Sequence, residues 1–138
     1  MFKLLKILNS KSSAPEIISV PTEDSINYTA SFLYYIENGR LMTSDHAGVH
    51  LKFIPIESTA KNSGIKSIRG FIVTSDMIFD ATVFGEYIDF GVGDNLSLFT
   101  NDDGHIEGVE ALEGQDVKVI SDAAFESTGK ISIMFNCN

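Results

Sequence analysis

The acidic segment from Asn101 to Glu110 contains the side-chain types that a calcium-binding loop requires. Calcium prefers carboxylate and amide oxygens, and an EF-hand loop places them at fixed positions around a glycine at its sixth position. With Gly104 in that place, Asn101 falls at position three and Glu110 at position twelve. Position one is then Phe99, which cannot coordinate a hard cation, and β-type segments flank the loop. We therefore interpret Asp103-Gly104 as a hairpin turn and expect no metal site.

The other reactive residue types do not form a catalytic pattern. Gly91-Val92-Gly93-Asp94 lacks the third glycine of a dinucleotide fingerprint and the Gly-Lys-Ser/Thr of a phosphate-binding loop. His46 and His50 have the spacing that pairs metal ligands on a helix, but Gly48 and the surrounding β pattern oppose a helix there. Cys137 has no histidine near it in sequence to activate its thiol. We expect no enzyme activity and no cofactor.

The charge balance limits the classes of partner. The chain has 138 residues, with 10 Lys and Arg against 19 Asp and Glu, and a formal net charge of −9. This sign repels phosphate backbones, so nucleic acid is excluded as a general partner. No stretch of about 20 apolar residues is available to span a membrane, and Lys6 interrupts the apolar start too early for a secretory signal. The hydrophobic fraction of 43% is typical of one globular domain.

The negative charge is distributed unevenly along the chain. Residues 1–11 and 40–71 each have a net charge of +3, residues 12–39 have −4 and residues 72–138 have −11. Two interpretations of these blocks are open. The first is random variation in charge among solvated faces. The second is that a basic region docks on an acidic surface of another copy or of a partner.

We interpret residues 1–14 as an N-terminal arm and residues 15–138 as a single β domain. Met1–Leu8 is apolar with two lysines, and a linker rich in helix and strand breakers follows it. Fully extended, the arm reaches roughly 45–50 Å at about 3.3 Å per residue, far enough to lie across a neighbouring subunit. The alternative is a first strand that pairs within its own domain. In the arm interpretation the partner-binding residues are Phe2, Lys3, Leu4, Leu5, Lys6, Ile7, Leu8 and Pro15.

The clearest periodic signal lies between Ile26 and Ile36, where one set of residues recurs at every second position. That period is typical of a half-buried strand. A strand of this length is unusual, so we expect a bend near Ala30-Ser31. Asn38-Gly39 follows, a pair that tolerates positive φ in a two-residue hairpin turn, and residues 40–43 would form the return strand.

Further short β-type segments follow, separated by turn residues about every 8–14 residues. They are residues 49–53, 68–74, 77–83, 96–98, 105–109, 117–119 and 131–135. The connection Ser121–Gly129 has room for one helical turn, and no sustained helical period is present. The pattern predicts an all-β fold, a single compact β-barrel or sandwich of short antiparallel strands with an extended N-terminal arm.

Five segments share their residue pattern with a known family. They are Ala14–Pro21, Tyr28–Leu41, Thr74–Phe79, Val92–Leu98 and Gly129–Phe135. Through these segments, which extend over most of residues 14–135, the chain resembles the head decoration (capsid cement) proteins of tailed bacteriophages. It departs from them at Ala30-Ser31, where a glycine is frequent, and in a longer acidic stretch at residues 102–116.

The resemblance implies a virion protein on the outer surface of an assembled capsid, present in the host cytoplasm during assembly. It implies a β-rich body, often a homotrimer, that bridges major capsid protein subunits and stabilises the shell. The arm would contact the shell protein. From the negative net charge and the lack of a long apolar stretch, we expect no nucleic-acid and no membrane partner.

Two other functions stay open. One is another phage or cell-surface structural module, such as a head fibre base or a tail component. The other is a small glycan- or ligand-binding β domain, for which Tyr34, Tyr35 and Tyr87 are the candidate aromatic contacts. A concave pocket in the monomer would favour ligand binding, whereas an extended arm and a flat trimer base would favour capsid binding.

Overall fold

The computed structural model describes residues 1–8, 14–44, 51–86 and 88–136. These residues contain eleven strands and one short helix, α1 (Phe125–Thr128), which lies in the connection predicted to hold a helical turn. The strands are β1 (Phe2–Ile7), β2 (Ile18–Pro21), β3 (Tyr34–Glu37), β4 (Arg40–Met42), β5 (Leu51–Pro55), β6 (Ser67–Ile72), β7 (Met77–Phe84), β8 (Asn95–Thr100), β9 (Ile106–Glu113), β10 (Val117–Ser121) and β11 (Lys130–Phe135).

Five of the strands close into a barrel. β7, β11, β10, β8 and β9 pair in that order, and β9 returns to β7. The closing contact is parallel and joins Val83 to Val109 and Phe84 to Glu110. The other neighbours in the barrel are antiparallel. The predicted all-β fold is confirmed, and this parallel contact is its one departure from antiparallel pairing within the described barrel.

β1 attaches to the edge of β7 that β9 also uses. Phe2 pairs with Ala81, and Ile7 pairs with Met77. Ala81 also pairs with β11, so β1 and β11 lie on opposite edges of β7. β9 takes over the same edge from Val83 onward. β1 and β9 therefore lie end to end along one edge of β7.

The other five strands form a curled antiparallel sheet that has the shape of a half-barrel. Their order is β2, β6, β5, β3 and β4. A single bridge between Thr22 and Leu41 brings the chain after β2 beside β4. The Arg40 Nη1 atom adds a hydrogen bond of 3.2 Å to the Thr22 carbonyl oxygen. These contacts hold the two outer strands of the half-barrel together.

The two sheets share the larger of two apolar cores. Alternate residues of the barrel strands fill it, and the rings of Phe79 and Phe135 meet edge to face at 5.3 Å. Ile54 and Phe71 from the half-barrel belong to the same core, and the Phe71 ring stacks on Phe79 at 6.2 Å. A smaller core around Tyr28, Tyr34 and Phe53 lies within the half-barrel.

The predicted Asn38-Gly39 hairpin is confirmed. It joins β3 to β4, Glu37 pairs with Arg40, and both turn residues have positive φ, 52° and 76°. Those angles are the ones that a two-residue turn with the twist of the flanking strands requires.

The predicted eleven-residue strand between Ile26 and Ile36 is wrong over most of its length. Only Tyr34–Glu37 is a strand, and the preceding residues make two single bridges, Tyr28 to Thr59 and Leu33 to Ile106. The expected bend is present, because Ser31 has φ of 68° and leaves the β region. Burial does not alternate there either, because Leu33, Tyr34 and Tyr35 are all buried.

Two buried tyrosines fix that segment by their hydroxyl groups. The Tyr28 hydroxyl donates to the Leu41 carbonyl at 2.5 Å and accepts the Glu23 backbone N–H at 3.0 Å. The Tyr34 hydroxyl accepts the Thr29 backbone N–H at 2.8 Å. The two rings meet edge to face at 5.1 Å. Each tyrosine thus supplies packing area and satisfies backbone groups of the non-strand segment.

Stability is expected to fall between about pH 10 and pH 12. Burial raises the pKa of Tyr34 to about 12, whereas the phenol of an unfolded chain ionises near pH 10. The unfolded state therefore loses its proton first, so the free energy of unfolding decreases as the pH rises through that window. Urea unfolding at pH 9 and pH 11 should show the decrease, and Tyr34→Phe should reduce it. Burial also raises the pKa of Tyr28. The free energy of unfolding of the Tyr34→Phe variant should therefore still fall with pH, but by less than that of the wild type. An equal decrease in wild type and variant would contradict the assignment to Tyr34.

Candidate functional site

The structure distributes the predicted arm residues between the core and the surface. Phe2 is only 2% exposed, and its ring contacts Phe135 at a centroid distance of 5.2 Å. Leu4 and Ile7 are half-buried against the same core. Leu8 and Pro15 are half-buried, and Lys3, Leu5 and Lys6 are exposed.

The arm interpretation is corrected for residues 2–7, which form strand β1 of the body. The physical reason is the apolar character of alternate positions, because Phe2 and Leu4 gain burial against β7 and β11 only if the strand pairs with β7. Of the two alternatives left open by the sequence, the structure has the intradomain strand. Residues 9–13 of the predicted linker lie outside the described residues.

β1 is an edge strand with an exposed outer surface. Among the described residues, no other strand pairs with β1 besides β7, although the Phe2 N–H donates to the Ser31 carbonyl at 2.8 Å. The register shifts between Leu4 and Lys6, which marks an irregularity in the pairing. We call the exposed set Lys3, Leu5 and Lys6 the β1 surface. Unpaired edges and apolar side chains of this kind are where a further chain can bind.

A shallow apolar groove adjoins β1 and brings Ile7 and Pro15 together. It has a volume of about 340 Å³. The other apolar residues that line it are Ala14, Ile18, Ile72 and Met77. Ile7 and Met77 come from the barrel side and Ile18 and Ile72 from the half-barrel, so the groove lies where the two sheets meet.

The predicted Asp103-Gly104 hairpin turn is confirmed, and it joins β8 to β9. The Asn101 Oδ1 atom accepts the backbone N–H groups of Asp103 and His105, each at 3.0 Å, and so closes the turn between β8 and β9. Among the described residues, no three His, Cys, Asp or Glu side chains lie in an arrangement that could hold a metal ion. His46, His50 and Cys137 lie outside the described residues.

The Gly91–Asp94 segment, whose sequence lacks a phosphate-binding pattern, forms a turn. The Asp94 carboxylate accepts the Gly91 N–H at 2.9 Å, and the Gly93 N–H donates to the Val119 carbonyl at 2.9 Å. The first contact closes the turn and the second holds it against β10. Its polar groups serve the loop itself.

The net charge of the protein lies on the barrel side. Residues 1–8 and 73–136 contain thirteen acidic against four basic side chains, whereas the described residues between 14 and 72 contain five of each. On the half-barrel, Arg69 pairs with Glu57 at 3.1 Å and Arg40 with Glu23 at 3.4 Å. In the folded protein the barrel side is therefore acidic, and the half-barrel side is neutral. We call the barrel side the acidic lobe.

A cleft that the sequence did not indicate opens on the acidic lobe. It has a volume of about 680 Å³ and lies between the loop after β7, the α1 region and β9. The residues that line it are Gly85, Glu86, Ile88, Asp89, Phe90, Ala111, Asp122, Ala123, Phe125 and Glu126. We call it the aromatic cleft, because the half-buried rings of Phe90 and Phe125 meet there at 5.1 Å.

No known protein family, curated protein or solved structure matches this chain. Within the described ranges, no helix has the length and apolar character that a membrane span requires. Two surfaces of the described residues could bind a partner: the β1 surface with its groove, and the aromatic cleft.

Proposed function

We propose that this protein is a structural component of a phage virion that binds the outside of an assembled capsid and stabilises it by bridging major capsid protein subunits. The observation that carries the proposal is the β1 surface, an exposed edge strand with an apolar side chain between two lysines. The resemblance noted in the sequence to phage head decoration proteins supplies the identity of the partner. Residues 2–7 form a strand of the body and not an extended arm, and the protein has a concave cleft, so the proposal rests on the β1 surface and on this resemblance.

The β1 surface offers three kinds of contact to a shell protein. Leu5 is 46% exposed. Burial of this exposed part by a partner would contribute about 1 kcal/mol to binding by the usual area scaling. Lys3 and Lys6 would steer the surface toward acidic residues of the shell. The unpaired edge can accept a strand from the partner by main-chain hydrogen bonds.

The stabilising effect would follow from mass action. A protein that binds only the assembled shell lowers the free energy of that state and leaves free subunits unaffected. Contacts to two shell subunits at once strengthen the attachment through effective concentration, and a homotrimer, which we include in the proposal, multiplies the contacts. The proposed function requires no chemical step, so the proposal includes no enzyme activity.

Charge reversal of the β1 surface is expected to weaken capsid binding. Lys3→Glu combined with Lys6→Glu replaces two exposed cations, so the fold should persist while co-sedimentation with capsids of the source phage weakens by about tenfold or more. The matched control is Lys61→Glu with Lys66→Glu, which makes the same charge change at exposed positions of the half-barrel. Equal binding of the β1 variant and wild type would contradict the proposal, as would an equal loss in the control.

A further inference from the structure

We infer that the aromatic cleft is a docking site for a short basic and apolar segment of a partner protein. The inference is independent of capsid binding, because the cleft shares no residue with the β1 surface or with the groove beside it. Its occupant is a peptide segment in which lysine or arginine alternates with a large apolar side chain.

The floor of the cleft is apolar and preformed. Phe90 comes from the loop after β7 and Phe125 from the start of α1. The backbone N–H of Ile88 donates to the Ala111 carbonyl at 3.1 Å, which holds the loop against β9. On the other side, the Phe125 N–H donates to the Asp122 carbonyl at 3.0 Å. A floor fixed in this way needs little ordering when an apolar side chain enters it.

The rim of the cleft is acidic. Glu86 and Asp89 stand on the loop side, and Asp122 and Glu126 stand on the α1 side. Of the described residues that line the cleft, none is basic, and the described barrel side carries the large excess of acidic residues noted above. A cation placed over the cleft is attracted by the rim and by the faces of the aromatic rings.

This combination selects among ligand classes. Phosphate groups and acidic peptides are repelled by the rim. A purely polar cation would leave the Phe90 and Phe125 floor wet, whereas an apolar peptide without charge would gain nothing from the four carboxylates. A segment with both features satisfies floor and rim together, which is the charge and apolar complementarity that favours specific docking.

The test uses a fluorescein-labelled, amidated peptide that alternates lysine and leucine, with binding followed by fluorescence anisotropy. We expect saturable binding to the full-length protein. A peptide with serine in place of leucine should bind about tenfold more weakly, and one with glutamate in place of lysine should not bind. No saturable binding of the lysine–leucine peptide would overturn the inference.

Two variants locate the site. Asp122→Lys with Glu126→Lys should weaken binding by about tenfold or more, whereas Asp102→Lys with Asp103→Lys, the same charge change in the β8–β9 turn, should weaken it less than about threefold. Ile88→Ser should weaken binding by removing apolar wall while charge stays constant. An equal loss of peptide affinity in the two double lysine variants would mean that the peptide is attracted to the acidic lobe as a whole, and it would overturn the inference.

Two further outcomes would assign the cleft to another occupant and overturn the inference. One is a self-associated protein that the peptide dissociates in sedimentation, since a second copy would then fill the cleft. The other is displacement of the peptide by a neutral maltooligosaccharide, which would point to a glycan site.

Discussion

Deletion of Met1–Leu8 is expected to abolish cooperative folding of the protein. The deletion removes Phe2 from the shared core, together with the half-buried Leu4 and Ile7. It also leaves the edge of β7 from Met77 to Ala81 without its partner strand. Loss of a buried phenylalanine alone costs about 3–5 kcal/mol. Since domains are stable by only about 5–15 kcal/mol, the combined loss exceeds what the fold can absorb.

The measurement is circular dichroism with urea unfolding, and a pair of point variants makes it quantitative. Phe2→Ala should lower the free energy of unfolding by about 3–5 kcal/mol. Leu5→Ala, on the same strand but exposed, should lower it by less than about 1 kcal/mol. If the truncated protein keeps a cooperative transition of full amplitude, β1 is dispensable to the body, and residues 1–8 are free to act as an intermolecular arm.

Gly70→Ala is expected to destabilise the half-barrel by about 3 kcal/mol, the upper part of the range for overpacked cores. Gly70 lies in β6 between β2 and β5. A Cβ atom built there would lie 2.3 Å from the Ile54 carbonyl oxygen and 2.6 Å from the ring of the buried Phe53. The carbonyl belongs to the neighbouring strand, so relief requires β5 and β6 to separate.

Thermal unfolding measures this effect, with an expected decrease in Tm of roughly 10 °C for a destabilisation of that size. Gly91→Ala is the matched control, because a Cβ atom at Gly91 meets nothing within 4 Å and its φ is not positive. A similar Tm for both variants would show that β5 and β6 separate without cost, and would contradict the packing argument.

Local signals in the sequence predicted much of the fold. Asn38-Gly39 predicted its hairpin because two consecutive residues with positive φ require these residue types. The alternating apolar residues of β7 and β11 predicted strands because their period is set by the strand itself. The segment before Tyr34 also alternates, but Tyr28 uses its hydroxyl to satisfy the backbone of a folded-back chain. The period of two in that segment corresponds neither to strand pairing nor to alternate burial.

The candidate sites were beyond the sequence because they depend on pairing between distant segments. Nothing near Phe2 specifies that it pairs with Ala81, so the arm and the strand were equivalent from sequence. Phe90 lies in the connection between β7 and β8, and Phe125 lies in the connection between β10 and β11. Each connection contains one phenylalanine with acidic neighbours, which is the signal that could have suggested a shared site. The rings of Phe90 and Phe125 come into contact only when the barrel is closed.

The end-to-end sharing of one β7 edge by β1 and β9 has a consequence for biosynthesis. Phe2 finds Ala81 only after about 80 further residues have been made, which at about 5–20 residues per second takes several seconds or longer. Until β7 has been made, the four apolar side chains of β1 have no partner strand to pack against. Lys3 and Lys6 interrupt the apolar run, as gatekeeper residues do beside aggregation-prone segments. Charges at these two positions lower the tendency of such a segment to aggregate before it pairs with β7.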